Sequence, residues 1–278
     1  MTELSFSGTG YRRFDHQQCD DVGNRYAAAY QSAAPYPHIV IDDFLDKDML
    51  RNVADHYPAT NGRTYFDRSQ ERFKFQFGPD AISHPDTLNL LAELNSLAFI
   101  SFLEKMTGIT GLIPDPHFSG GGLHLTRSGG HLGVHADFNI HRELKLERRL
   151  NLLVYLNDDW GPEFGGELEL WDTKMTKCEV SVAPVLGRAV VFSTTLDSYH
   201  GQPNPLACPP DRDRRSIATY YYTAFTEGLD AVPQRTTNFR SRPGTTDKKD
   251  RQVALNHLIN DWVPLRLQRY ARKLNRFQ

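Results

Sequence analysis

Between residues 120 and 225 the apolar residues recur with a period of two, whereas the flanking sequence repeats at the helical period. Short apolar runs there are separated by turn signals: Ser-Gly-Gly at 128–130, the stretch 157–166 (NDDWGPEFGG) and Asn204-Pro205. Alternation over short runs marks half-buried strands, and about a hundred residues of it predict an antiparallel sandwich or barrel. Upstream, His38–Phe44 reads as a strand. Asp46 then caps a helix that carries Met49, Leu50, Val53, Ala54 and Tyr57 on one face and stops at Pro58. Residues 59–82 alternate aromatic and charged side chains and read as extended, and 86–106 predict one long helix ended by Gly108. Residues 1–34 show only weak periodicity. Residues 248–275 return to helical spacing, interrupted at Pro264. The expected organisation is a single α+β domain: a helical and strand support over 1–117, a β core over 118–225 and a basic helical tail over 226–278.

Composition removes several function classes. The chain of 278 residues is 39% hydrophobic and 24% charged, which is globular. No window approaches the ~18 consecutive apolar residues of a membrane span, so no membrane partner is expected. The start, MTELSFSGTGYRRFD, lacks the apolar core of a secretory signal. Cys19, Cys178 and Cys208 are too scattered for a disulfide framework or a cysteine zinc site, and the expected location is cytoplasmic. Residues 234–278 hold eleven Lys/Arg against three Asp/Glu. The tail matches no base-reading motif, so nucleic acid is not the expected partner. No P-loop, nucleophile elbow or zinc-protease motif competes for the chemistry.

The pattern His-x-Asp occurs twice. His84-Pro85-Asp86 opens the predicted long helix, with Asp86 as its expected cap, and reads as structural. His135-Ala136-Asp137 lies in the β region, where residues i and i+2 face the same side. Its two side chains can therefore aim at one metal ion. A third ligand must come from another strand. Of the downstream histidines, His141 is too near and His257 falls in the tail, whereas His200 follows an apolar strand and can close the set. Two His and one carboxylate leave coordination positions open, the donor set of non-haem iron(II) sites. Taken singly, His135 or His200 is more simply a locally hydrogen-bonded side chain. Arg214 and Ser216 share one face of the strand that follows, and a forked guanidinium suits a carboxylate. On residues 149–157, Arg149, Asn151, Leu153 and Tyr155 form a half-polar face that should line a cavity. Leu150, Leu152, Val154 and Leu156 form an apolar face that should pack under the helices.

The segments HADFN, RRLNLLVYLNDDW, FGGELELWD, SYHGQPNPL and RRSIATYYYT together resemble the iron(II)/2-oxoglutarate-dependent dioxygenases of the prolyl-4-hydroxylase-like branch, and YPHIVIDDFL resembles their entry strand. The resemblance implies a double-stranded β-helix, or jelly roll, with helices packed on one sheet. It implies Fe(2+), 2-oxoglutarate and O2 as cofactor and co-substrates. His135, Asp137 and His200 match the iron ligands. Arg214 matches the residue that anchors the distal carboxylate of 2-oxoglutarate, with Ser216 and Tyr155 beside it. The gap between His200 and Arg214 is long and contains Cys208-Pro209-Pro210, which leaves Arg215 open as the anchor. The implied reaction hydroxylates an unactivated C–H of a small molecule or of an amino-acid or peptidyl side chain, with 2-oxoglutarate going to succinate and CO2. Related halogenases carry a small residue where Asp137 stands, so Asp137 implies hydroxylation. Candidate substrate contacts are Asn139 and Arg149 foremost, then His124, Thr126 and His141, while Trp160, Trp171 and Tyr220–Tyr222 are expected to pack the sheets. The competing readings are a metal-binding jelly roll without turnover and an oxygenase guided to nucleic acid by the tail.

Overall fold

A computed structural model of the chain describes residues 2–60, 64–225 and 234–247. The N-terminal part runs β1 (Phe6–Ser7), β2 (Arg13–Phe14), α1 (His16–Ser32), β3 (His38–Ile41), α2 (Lys47–Asp55), β4 (Thr64–Arg68), β5 (Glu71–Phe77), α3 (Pro85–Glu93) and α4 (Leu97–Thr107). The core follows as β6 (Ile113–Pro114), β7 (Gly122–Ala136), β8 (Glu147–Tyr155), β9 (Leu168–Trp171), β10 (Cys178–Val182), β11 (Ala189–Ser193), β12 (His200–Gln202) and β13 (Asp213–Thr223). A short strand, β14 (Asn238–Phe239), returns to it. The strands join in the order β10-β9-β12-β7-β13-β8-β11-β3, with β5 and β14 also on β7. Sequence neighbours are mostly not sheet neighbours, and every named ladder is antiparallel, which is the jelly-roll pattern.

The apolar face expected on β8 packs as the alternation requires. Leu150, Leu152 and Val154 join Val191 and Ile217 in one buried cluster with Tyr30, Leu50, Phe99 and Phe102 from the helices. The helices therefore cover one sheet, and the opposite side of β8 is left to the cavity. Gly23 lets α1 lie close on α4: a Cβ there would stand 2.6 Å from the Phe102 carbonyl oxygen.

Three local readings change. Residues 1–34 contain a 17-residue helix, α1, capped by Asp15 through the Gln18 N–H. Its buried stripe of Cys19, Val22 and Tyr30 is diluted by alanines, which weakened its periodicity. The long helix expected over 86–106 is two helices. Ser96 caps α4 by accepting from the Phe99 N–H, and Asn95 donates to the Asp115 carbonyl, so side chains that compete for backbone partners break the run. Finally, Asp86 is not the cap of α3. His84 holds that position, Pro85 takes the first turn, and Asp86 follows it. Asp46 does cap α2, and Gly108 ends α4 with a φ of 74°. The helix expected over 248–275 lies outside the described residues. Within 226–278 the described part, 234–247, contains β14.

Candidate metal centre and co-substrate pocket

β7 and β12 pair so that His135 faces His200 directly, and Asp137 follows the end of β7. His135 Nε2 lies 3.5 Å from Asp137 Oδ1, and His200 Nε2 lies 3.4 Å from Oδ2. One donor atom from each residue fits within 4.8 Å of the others. Both imidazoles are oriented by their second nitrogen: Nδ1 of His135 is 2.9 Å from the Gly133 carbonyl, and Nδ1 of His200 is 3.0 Å from that of Ser198. A backbone carbonyl on Nδ1 fixes the tautomer that leaves Nε2 as a lone-pair donor. Burial pushes the His200 imidazole down to about 4, so it is neutral near pH 7. Burial raises the Asp137 carboxyl, but Arg148 and the two imidazoles more than offset this and hold it well below the usual carboxylate range. Two imidazoles and one carboxylate converging in a buried pocket fit a divalent metal ion with open positions.

Asp137 is itself held. Asn151 Nδ2 donates to Oδ2 at 2.8 Å, and Arg148 Nη2 lies 3.1 Å from the same oxygen. Arg148 also donates twice to Asn151 Oδ1 and sits 3.5 Å over the Tyr220 ring. The β8 arginine that lines the cavity is Arg148, whereas the sequence offered its neighbour Arg149. Along β8, Asn151 pairs with Tyr220 and Leu150 with Tyr221, but Tyr222 pairs with Arg148. One residue is bulged out, and a bulge exchanges the faces of the strand beyond it. Arg148 therefore points into the cavity, and Arg149 reaches away to Thr223 Oγ1. Asn139 also lies outside the cavity wall: its side chain accepts from the Arg235 N–H, and its carbonyl accepts from Arg148. His141 is buried against Asp115 at 3.2 Å, likewise off the wall. His124 and Thr126 do line the cavity, as does Tyr220, which was expected only to pack. Trp160 and Trp171 pack in small apolar clusters of their own.

The cavity measures about 220 Å³. Away from the histidines its wall holds Arg214, Tyr155's strand and Ser216. Arg214 Nε donates to the Gly166 carbonyl at 2.7 Å, and Nη2 reaches the Tyr155 hydroxyl at 3.4 Å. Gly166 has a φ of 86°, and a Cβ there would come within 3.0 Å of Arg214 Cδ, so glycine makes room for the guanidinium. Ser216 is the register partner of Tyr155. Arg215 leaves on the other face, donating to the Ala54 carbonyl and stacking on Tyr57. Of the two arginines only Arg214 lines the cavity. Asn151 lines the cavity as its face of β8 predicts, and further wall residues that the sequence did not single out are Lys74 and Glu71 of β5, Gln202, and Thr237 and Phe239 at β14.

A jelly roll with a buried two-histidine, one-carboxylate cluster at one end defines the class of non-haem metal oxygenases. The chain matches the family model of the 2OG-Fe(II) oxygenase superfamily over residues 121–222. It is a 2-oxoglutarate-dependent dioxygenase whose cofactor and co-substrates are Fe(2+), 2-oxoglutarate and O2. Among solved structures it is similar to a prolyl-4-hydroxylase of Pseudomonas putida, at 19% identity and TM-score 0.51 over 72% of this chain and 100% of that one. It is also similar to a prolyl hydroxylase of Trichoplax adhaerens solved with a hypoxia inducible factor peptide fragment, at 18% identity and TM-score 0.52 over 74% and 91%. At these identities the likeness is one of fold. No curated protein matches the chain. Among the described residues no helix is long and apolar enough to cross a membrane.

Proposed function

We propose that the protein hydroxylates an unactivated C–H of a small molecule or of an amino-acid or peptidyl side chain. In the balanced reaction one oxygen of O2 enters the product and the other enters succinate, as 2-oxoglutarate loses CO2. The observation that carries this reading is the convergence of His135, Asp137 and His200 at one end of a cavity whose wall also presents Arg214. His135, Asp137 and His200 hold the metal. Arg148 and Asn151 fix the carboxylate of Asp137. Arg214 takes the distal carboxylate of 2-oxoglutarate, with the Tyr155 hydroxyl and Ser216 beside it. Leu153, Leu168, Phe192 and Phe239 line the same space with apolar surface and keep bulk water from it. Iron(II), when bound with 2-oxoglutarate, supplies the activation of O2 that no side chain can provide. The two solved structures of similar fold named above are prolyl hydroxylases, so free and peptidyl proline belong in the substrate screen.

The test is succinate release from 2-oxoglutarate by the iron-loaded protein, screened over amino acids, amino-acid derivatives and peptides. The expected result is succinate that requires both iron and 2-oxoglutarate and that disappears with His200→Ala. Succinate at the wild-type rate from His200→Ala would overturn the assignment.

A further inference from the structure

Glu71 and Lys74 of β5 are three residues apart, yet both line the cavity. On a regular strand, residues at i and i+3 face opposite sides. Here the ladder to β7 is interrupted between Arg72 and Lys74, and Phe73 sits at a φ of 51°, a region that ordinary side chains avoid. The irregularity turns both charged side chains to the same face. Lys74 Nζ lies 2.9 Å from Glu71 Oε1, and Arg68 Nη2 lies 3.0 Å from Oε2. Glu71 is 6% exposed and Lys74 is 13% exposed, whereas Arg68 is half-exposed over the Phe239 ring. An ammonium has three donors, and Glu71 accepts only one.

The sheet register places this group relative to the co-substrate pocket. Lys74 pairs with Thr126, and Thr126 pairs on its other side with Arg214. Lys74 and Arg214 thus stand in one row across β5, β7 and β13, two strand spacings or about 10 Å apart. The cavity wall carries four basic side chains, Arg68, Lys74, Arg148 and Arg214, against the two carboxylates Glu71 and Asp137. A divalent metal and the dianion 2-oxoglutarate cancel each other, so the loaded cavity retains its positive surplus. A surplus of this sign around a cavity favours an anionic ligand.

Resting on the oxygenase reading above, we propose that Lys74, with Arg68 at the mouth, forms a second carboxylate subsite and that the substrate is a small carboxylic acid, free amino acids included. Arg214 serves the co-substrate and Lys74 the substrate. Glu71 positions the Lys74 ammonium.

The test uses full-length protein loaded with Mn(II) and 2-oxoglutarate under nitrogen. It is titrated calorimetrically with the free L-amino acids and with their carboxamides, and 2-oxoglutarate affinity is measured first. At least one free acid should bind about tenfold or more tightly than its carboxamide. Lys74→Gln should reduce that acid to the carboxamide's level, Lys74→Arg should restore much of the difference, and 2-oxoglutarate affinity should change less than about twofold in both. Equal binding of acids and amides, full acid binding by Lys74→Gln, or no acid binding at millimolar concentration would each overturn the subsite. A loss of 2-oxoglutarate affinity in Lys74→Gln would overturn it too, by moving Lys74 to the co-substrate. Failure of the wild-type protein to bind 2-oxoglutarate would instead break the oxygenase reading on which the subsite rests.

Discussion

The tripeptides His84-Pro85-Asp86 and His135-Ala136-Asp137 have the same outer residues and entirely different fates. In the first, Pro85 starts a helix, and the flanking side chains separate. His84 stacks on His56 at 3.9 Å, while Asp86 pairs with Arg12 at 3.0 Å and accepts from Asn52 at 2.9 Å. In the second, Ala136 ends a strand. The flanking side chains stay on one face, and a neighbouring strand brings His200 against them. The middle residue selects the backbone conformation, and the backbone decides whether the outer two can share an ion.

The sharpest break of this comparison is removal of a ligand. His135→Ala, Asp137→Ala and His200→Ala should each abolish measurable Mn(II) binding by calorimetry and 2-oxoglutarate turnover, whereas His84→Ala should keep both. Next comes the co-substrate end. Arg214→Ala should raise the 2-oxoglutarate requirement roughly 30- to 1000-fold, the effect of losing about 2–4 kcal/mol of charge-assisted contact. Arg215→Ala, on the opposite face, should raise it less than about threefold. A reversed ranking would move the anchor. The support behind Asp137 should show a smaller step. Arg148→Gln is expected to weaken metal binding about 10- to 100-fold, and Arg149→Gln to leave it within about twofold of wild type. Smallest is the structural tripeptide: Asp86→Ala loses a partly exposed ion pair and should cost under about 1 kcal/mol, or roughly 2 °C in thermal unfolding, with metal affinity unchanged.

What could be read from the chain follows from how local each rule is. From Leu150 onward β8, and β13 throughout, need only strict alternation, so the apolar floor under the helices and the shared face of Arg214 and Ser216 were legible, while the choice between Arg214 and Arg215 was left open. His200 was legible because few histidines remained downstream. Arg148 was hidden by one bulged residue, since alternation assigns Arg149 to its place. Glu71 and Lys74 were hidden for the same reason on β5. The break at Asn95–Ser96 lay inside a run whose apolar spacing continues through it. β14 is only two residues long and pairs with a strand far upstream, and no local pattern announces that.

That last strand has a consequence for how the protein is made. Along the end of β7, β12 occupies one side of His135 and β14 the other, with Phe239 as register partner and its ring 5.2 Å from the imidazole. Synthesis proceeds from the N-terminus, so His135, Asp137, His200 and Arg214 all emerge from the ribosome before β14. Until residues 238–239 have been made, the side of His135 that Phe239 covers has no partner strand.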